Sequence, residues 1–205
     1  MALSCYSKTN YWKIMLKPIV ISLLGAEERK LHIQKYFPEY EVFHAINGKK
    51  FRLKHGILTT EAVSCFLSHT TLWLQLINRQ EELFLILEDD ATPKTSLKEI
   101  EIKLETLPQN WDVAFIGWNH DIMTKKTIRE VNDDWITTES FWGFHAYLIK
   151  KSSITTIYNS LLNMDTHIDI QIGRLIKGGK IKGYFLKEPL IDQENLESQI
   201  PKRLK

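Results

Sequence analysis

Leu83-Phe84-Leu85-Ile86-Leu87 is the segment that most narrows what this chain can fold into. Five apolar residues in succession, with no polar alternate, fit a strand covered on both faces. Such a strand sits inside a sheet with helices on either side. The flanking sequence supplies both layers. Pro18 to Leu23 and Val113 to Gly117 are short β-branched or aromatic runs that read as further strands, as do Glu41 to Ile46, Phe144 to Lys150 and Ile181 to Leu186.

Helices are expected between them. Glu27 to Phe37 runs until Pro38. Thr59-Thr60-Glu61 opens a helix with a hydroxyl cap and an acid in its first turn, and Val63, Phe66, Leu67, Trp73, Leu74 and Ile77 form its apolar stripe. Ser96-Leu97-Lys98-Glu99 fits a capping box, and the helix it starts stops at Pro108. Ser152 to Asn163 and Ile168 to Lys177 complete the set. Asn47-Gly48 reads as a turn, and the polar stretch from Thr124 to Trp135 as loop or hairpin. Alternation of strand and helix predicts one α/β domain with an open, mainly parallel sheet over residues 18–205, preceded by an extension over 1–17.

Composition limits the function classes. The 205 residues are 43% hydrophobic, enough for one sizeable core. Lys and Arg number 27 against 25 Asp and Glu, a formal charge of +2, which argues against a long charge-driven nucleic-acid footprint. Cys5 and Cys65 are a single possible pair with no CxxC and no zinc spacing, so a reducing compartment is the default. The apolar run Ile19 to Leu24 is too short to span a bilayer. The tail Lys202-Arg203-Lys205 is basic; it is either a solvated terminus or a contact for an anionic head group or a diphosphate.

The central strand ends on Glu88-Asp89-Asp90. Ligands of open α/β sheets sit at the carboxyl ends of strands. Adjacent acids there repel one another, and a hard divalent cation relieves the repulsion. A solvated acidic turn is the competing account of the same triplet. Ser68 and His69 lie in an otherwise apolar helix, where a satisfied core role competes with a functional one. Trp118-Asn119-His120-Asp121 reads as loop, with metal ligation as the alternative. Asp133-Asp134 reads as solvated. Asp165, His167 and Asp169 fall where a helix begins, so the helix dipole explains them as well as catalysis does.

Taken in order, a series of segments resembles glycosyltransferase family 25. They are Val20-Ile21-Ser22-Leu23 followed by Glu28-Arg29, Ala45-Ile46-Asn47-Gly48-Lys49, Leu58 to His69 with Trp73, and Leu87 to Ala91. Trp111-Asp112-Val113 with Gly117, Gly143-Phe144-His145-Ala146-Tyr147-Leu148-Ile149, Asp169, and Gln193 with Ser198-Gln199-Ile200 complete the series. Leu24-Gly25 and Asn47 stand where the family usually carries Asp.

The resemblance implies a GT-A-like fold, a UDP-sugar donor, Mn²⁺ or Mg²⁺, and inversion at the anomeric carbon. It implies Glu88 and Asp90 at the metal, with Asp90 bound directly and Glu88 or Asp89 reaching the ribose or a metal-bound water. Asp169 is the leading candidate for the base and His145 the second. Arg29, Ser68, His69, Gly143, Gln193 and Ser198 are expected in donor binding or site support. The acceptor is expected to be a glycan or glycolipid such as lipooligosaccharide, with galactose the favoured sugar, in a cytoplasmic enzyme working at a membrane face. Two other readings stay open: a catalytically degenerate binding or scaffold domain, and a metal-dependent phosphohydrolase.

Overall fold

The computed structural model describes residues 17–194 other than 54, 121 and 162. Cys5, Ser198 and the basic tail Lys202-Arg203-Lys205 lie outside the described residues, as does nearly all of the expected extension.

The chain runs β1 (Ile19–Ser22), α1 (Glu27–Tyr36), β2 (Glu41–His44), α2 (Gly48–Phe51), α3 (Thr60–Leu76), β3 (Leu83–Glu88) and β4 (Ala91–Pro93). It continues through α4 (Leu97–Glu105), β5 (Val113–Asn119), α5 (Ile122–Thr127), β6 (Arg129–Glu130), β7 (Trp135–Thr137) and β8 (Trp142–Lys150). The last elements are α6 (Lys151–Ser160), α7 (Ile168–Lys177), β9 (Gly183–Leu186) and β10 (Ile191–Gln193).

Eight strands form one sheet in the order β2-β1-β3-β8-β5-β9-β7-β6, and β10 pairs with β4 in a separate ribbon. β1 is parallel to β2 and β3, and β5 is parallel to β9. β8 runs antiparallel between β3 and β5, and β7 antiparallel between β9 and β6. Within the eight-stranded sheet all strands but β8 and β7 therefore share one direction, which makes it mainly parallel as the alternating pattern predicted. The reversed β8 was not readable from the pattern: a strand buried on both faces has the same composition in either direction.

The alternation of side chains divides the core in two. Ile19, Ile21, Phe84, Ile86, Val113, Phe115, Tyr147 and Phe185 face α3, α6 and α7, meeting Trp73, Ile154 and Ile172. Val20, Leu85, Leu87, Ala114, Ile116, Ala146 and Leu148 face the other way onto Ile33 and Phe37 at α1 and Ile100 and Leu104 of α4. The segment Leu83 to Leu87 is thus central, with its odd and even positions in different layers.

Local signals at the helix starts are realised. Thr59 Oγ1 accepts from Ala62 N at 3.2 Å. Ser96 and Glu99 form the reciprocal capping box. Asn47-Gly48 is not a simple turn: Asn47 Oδ1 accepts from Lys50 N at 2.9 Å and caps α2. The polar stretch after β5 begins with the short helix α5 and then forms the hairpin β6–β7. Trp118 and Asn119 belong to β5 rather than to a loop, with the Trp118 indole N–H donating to Leu186 O at 2.9 Å. β4 and β10 were not expected. At three residues each, they are too short to carry a period.

Candidate active site

The carboxyl ends of β1 and β3 and the start of α3 enclose a cleft of about 410 Å³. One wall comes from Leu23 to Ala26 and Arg29, another from Ala45 to Lys49, and the floor from Ser64, Cys65, Ser68 and His69. Glu88, Asp89, Asp90 and Gln193 close the remaining side. The acidic triplet therefore sits where a ligand of an open α/β sheet is held.

The three acids have different surroundings. Asp89 is buried and paired with Arg29 of α1. Burial works against the Arg29 cation, yet the hydrogen bond and charge of Asp89, with Asp90 and Glu88 behind it, raise its pKa above the ordinary value. Glu88 is held from several directions. Its Oε1 lies 3.3 Å from His69 Nε2 and 3.7 Å from Cys65 Sγ, and its Oε2 accepts from Gln193 Nε2 at 3.3 Å. Burial pushes Glu88 up, but the His69 hydrogen bond first, then the nearby His69 and His145 rings and the Cys65 thiol, hold it below the usual carboxylate range.

Asp90 is left over. Its Oδ1 is buried without a hydrogen-bond partner among the described residues. Desolvation first, then the charges of Glu88 and Asp89, push its pKa up to about 7. An acceptor-only oxygen enclosed beside two carboxylates suits a hard divalent cation, which takes oxygen ligands. The residues present fit such an ion.

The orientation of Glu88 is set from deep in the core. Trp73 Nε1 donates to Tyr147 Oη at 2.9 Å, and His69 Nδ1 lies 2.9 Å from the same oxygen. Tyr147 is fully buried, so its hydroxyl proton needs an acceptor, and Nδ1 provides one. That leaves His69 Nε2 protonated and donating to Glu88. One directed chain, Trp73 to Tyr147 to His69 to Glu88, runs from the layer beneath the sheet to the cleft. Nothing in the Gly143 to Ile149 segment marks Tyr147; only its position opposite His69 in space reveals its part.

The remaining expected residues divide into cleft and surroundings. Arg29, Ser68, His69, Glu88, Asp89, Asp90 and Gln193 all line the cleft. Ser68 Oγ accepts from Ile46 N at 2.8 Å and donates to Ser64 O at 2.7 Å, tying the exit of β2 to α3. Gln193 also takes Asn119 Nδ2 at 3.3 Å, which brings the end of β5 to the site.

Asp169, His145 and Gly143 are not among the lining residues. Asp169 is buried in the first turn of α7, its Oδ1 accepting from Ile170 N at 2.8 Å. Burial raises the Cys65 thiol well above its usual value, and the charges of Glu88 and Asp169 add to the effect, so Asp169 reaches the site electrostatically from beneath. His145 is 0% exposed and donates Nε2–H to Ile191 O at 3.1 Å, anchoring β10. Burial lowers its pKa, which leaves a neutral imidazole with an Nδ1 lone pair that has no partner among the described residues. Gly143 has φ +83°, and a Cβ there would stand 2.9 Å from His145 Nδ1. Gly117 is needed for the same imidazole, since a Cβ would stand 2.6 Å from His145 Nε2.

The family model for glycosyltransferase family 25, described as LPS biosynthesis protein, matches residues 15–172. The chain belongs to that family. Family 25 relatives resemble only parts of it. A glycosyltransferase 25 family member of Drosophila melanogaster is 24% identical over 123 residues, 48% of this chain and 20% of that protein. Procollagen galactosyltransferase 2 of Homo sapiens is 38% identical over 61 residues, 30% of this chain and 9% of that protein. Lipooligosaccharide biosynthesis protein lic2B of Haemophilus influenzae is 34% identical over 86 residues, 35% of this chain and 32% of that protein. The family 25 chain thus matches a third or less of the length of these relatives. Among solved structures, a 4-diphosphocytidyl-2C-methyl-D-erythritol synthase from Anaerococcus prevotii aligns with 91% of this chain and 78% of its own, at 15% identity and a TM-score of 0.46. No helix among the described residues of this family 25 chain is long and apolar enough to cross a membrane.

Proposed function

We propose that this chain is a metal-dependent, inverting glycosyltransferase that moves a sugar, galactose favoured, from a UDP-sugar to a hydroxyl of a glycan acceptor such as lipooligosaccharide. The observation that carries the reading is Asp90: an enclosed carboxylate oxygen without a partner among the described residues, beside two further acids, at a strand-end cleft in a family 25 chain. Asp90 and Glu88 would hold Mn²⁺ or Mg²⁺. Such an ion acts as a Lewis acid that neutralises charge building on the leaving diphosphate.

The chain's own groups do the rest. Arg29 keeps Asp89 paired, so the net negative charge offered to the cleft comes from Glu88 and Asp90. The Trp73–Tyr147–His69 chain and Gln193 hold Glu88 as an oriented carboxylate. The backbone from Leu23 to Ala26 and the Ala45 to Lys49 wall form the opposite side, which suits the nucleoside. Asn47 in place of the family's Asp keeps the α2 cap, because either side chain presents an acceptor oxygen there.

Inversion requires one in-line displacement, in which a base takes the acceptor proton as the acceptor oxygen bonds to the anomeric carbon and UDP departs. Asp169 is the leading base, being a buried acid whose charge is felt at Cys65 on the cleft floor. His145 is the second, through its unpaired Nδ1. We further propose that the enzyme works at the cytoplasmic face of a membrane, with Lys202, Arg203 and Lys205 meeting anionic head groups.

The test is a panel of UDP-sugars with and without Mn²⁺, following UDP release and transfer to lipooligosaccharide. Metal-dependent release from at least one donor is expected. Asp169→Asn should keep donor binding and lose transfer; unchanged transfer would move the base to His145. Metal-independent behaviour throughout, with no donor bound, would leave a binding or scaffold domain instead.

A further inference from the structure

On the cleft floor, behind the acidic triplet, three side chains of different chemistry converge. The Cys65 thiol, the His69 imidazole and the Glu88 carboxylate each offer one ligand atom, and these atoms lie within 4.8 Å of one another. We propose that Cys65, His69 and Glu88 form a binding site for a soft divalent cation, Zn²⁺ by its chemistry, next to the Asp90 site and sharing the Glu88 carboxylate with it.

Cys65 and His69 are four residues apart on α3 and therefore project from one face of the helix. Glu88 reaches the same point from the end of β3. Zinc bonds of about 2.0–2.2 Å to nitrogen and oxygen and about 2.3 Å to sulfur imply tetrahedral edges of roughly 3.3 Å for N···O and roughly 3.5 Å for S···O. The distances here are 3.3 Å from His69 Nε2 to Glu88 Oε1 and 3.7 Å from Cys65 Sγ to the same oxygen. Two of the three edges are thus already near a zinc polyhedron without metal.

The surroundings suit the same ion. A metal-binding histidine is normally fixed through its other ring nitrogen, and Tyr147 Oη stands 2.9 Å from His69 Nδ1. Metal at Nε2 inverts the His69 tautomer: Nδ1–H then donates to Tyr147 Oη, which also accepts from Trp73 Nε1, and the Tyr147 hydroxyl proton gives up its Nδ1 acceptor. Cys65, His69 and Glu88 all line the cleft, which leaves a fourth position open to water or to a ligand there. A thiol with an imidazole selects against Mg²⁺ and Mn²⁺ and for softer ions. Glu88 takes part through Oε1, while its Oε2 remains with Gln193. The inference requires no donor and does not rest on the transferase reading, although Glu88 serves both sites.

The experiment is a titration of the full chain with Co²⁺ alone, monitored by absorption, with Zn²⁺ as competitor. The wild type should bind one equivalent with a near-ultraviolet thiolate-to-cobalt band and the visible bands of four-coordinate cobalt, both removed by one equivalent of Zn²⁺. Cys65→Ser, its fold checked by circular dichroism, should lose the thiolate band. Cys5→Ser and Asp90→Asn should keep it. Absence of the band in the wild type would overturn the proposal. So would its survival in Cys65→Ser, its loss in Cys5→Ser, or its loss in Asp90→Asn, each of which would put the metal elsewhere.

Discussion

Asp90→Asn is expected to make the metal-free protein more stable at alkaline pH while removing its response to Mn²⁺ or Mg²⁺. The carboxyl group has its pKa moved from 3.8 to about 7 by burial and by its two acidic neighbours. The sign follows from proton linkage: between those two values the folded chain retains a proton that the unfolded chain has released, so stability falls as pH rises through the window. Below pH 3.8 both states are protonated and the group is neutral in its effect. Above about 7 the folded state carries the full cost of an ionised Asp90. Three pH units at about 1.36 kcal/mol each give a ceiling of about 4 kcal/mol. Half of that ceiling corresponds to roughly 4–8 °C in Tm for a chain of this size. Asn has the same shape and no charge, so it removes the cost. The assay is thermal unfolding of wild type and variant, without metal, from about pH 4 to about pH 8. The gain should be absent at the acid end and grow through neutrality. Equal stability at every pH, or a gain already present at the acid end, would refute the reasoning that Asp90 is an enclosed, repelled carboxylate.

Tyr147→Phe should cost about 2–3 kcal/mol in urea unfolding, because it leaves both the Trp73 indole N–H and His69 Nδ1 buried without their partner. Gly143→Ala should destabilise by roughly 2 kcal/mol or more, since alanine is strained at φ +83° and its Cβ would crowd the His145 ring. Arg29→Ala should cost roughly 3 kcal/mol by leaving Asp89 buried without its cation, and Arg29→Lys should recover only part of it.

Much of the architecture was legible because burial leaves a period in the sequence. Leu83 to Leu87 announced a covered strand, Thr59 and Ser96 announced helix starts, and Ile168 to Lys177 matched its helix to the residue. The direction of β8 was not legible, since burial on both faces is blind to polarity. Nor were β4 and β10, which are too short to be periodic and are fixed by pairing with each other. The acidic triplet was legible as a cluster but not as three different groups. Asp89 is neutralised by Arg29, 60 residues away, and Glu88 is held by His69, 19 residues away, and by Gln193, 105 away. Only long-range contacts reveal that Asp90 is the acid with an oxygen, Oδ1, that has no partner among the described residues. The same holds for His145, whose orphaned Nδ1 follows from the Ile191 carbonyl occupying the other nitrogen.

The central claim is that Asp90 and its neighbours hold a cation that in turn holds a nucleotide diphosphate. Equilibrium titration of UDP and UDP-galactose into the wild type and Asp90→Asn, each with and without Mn²⁺, tests it most directly. Binding to the wild type that requires Mn²⁺ and disappears in Asp90→Asn is the predicted result. Binding of equal strength with and without the metal, or undiminished in Asp90→Asn, would contradict it.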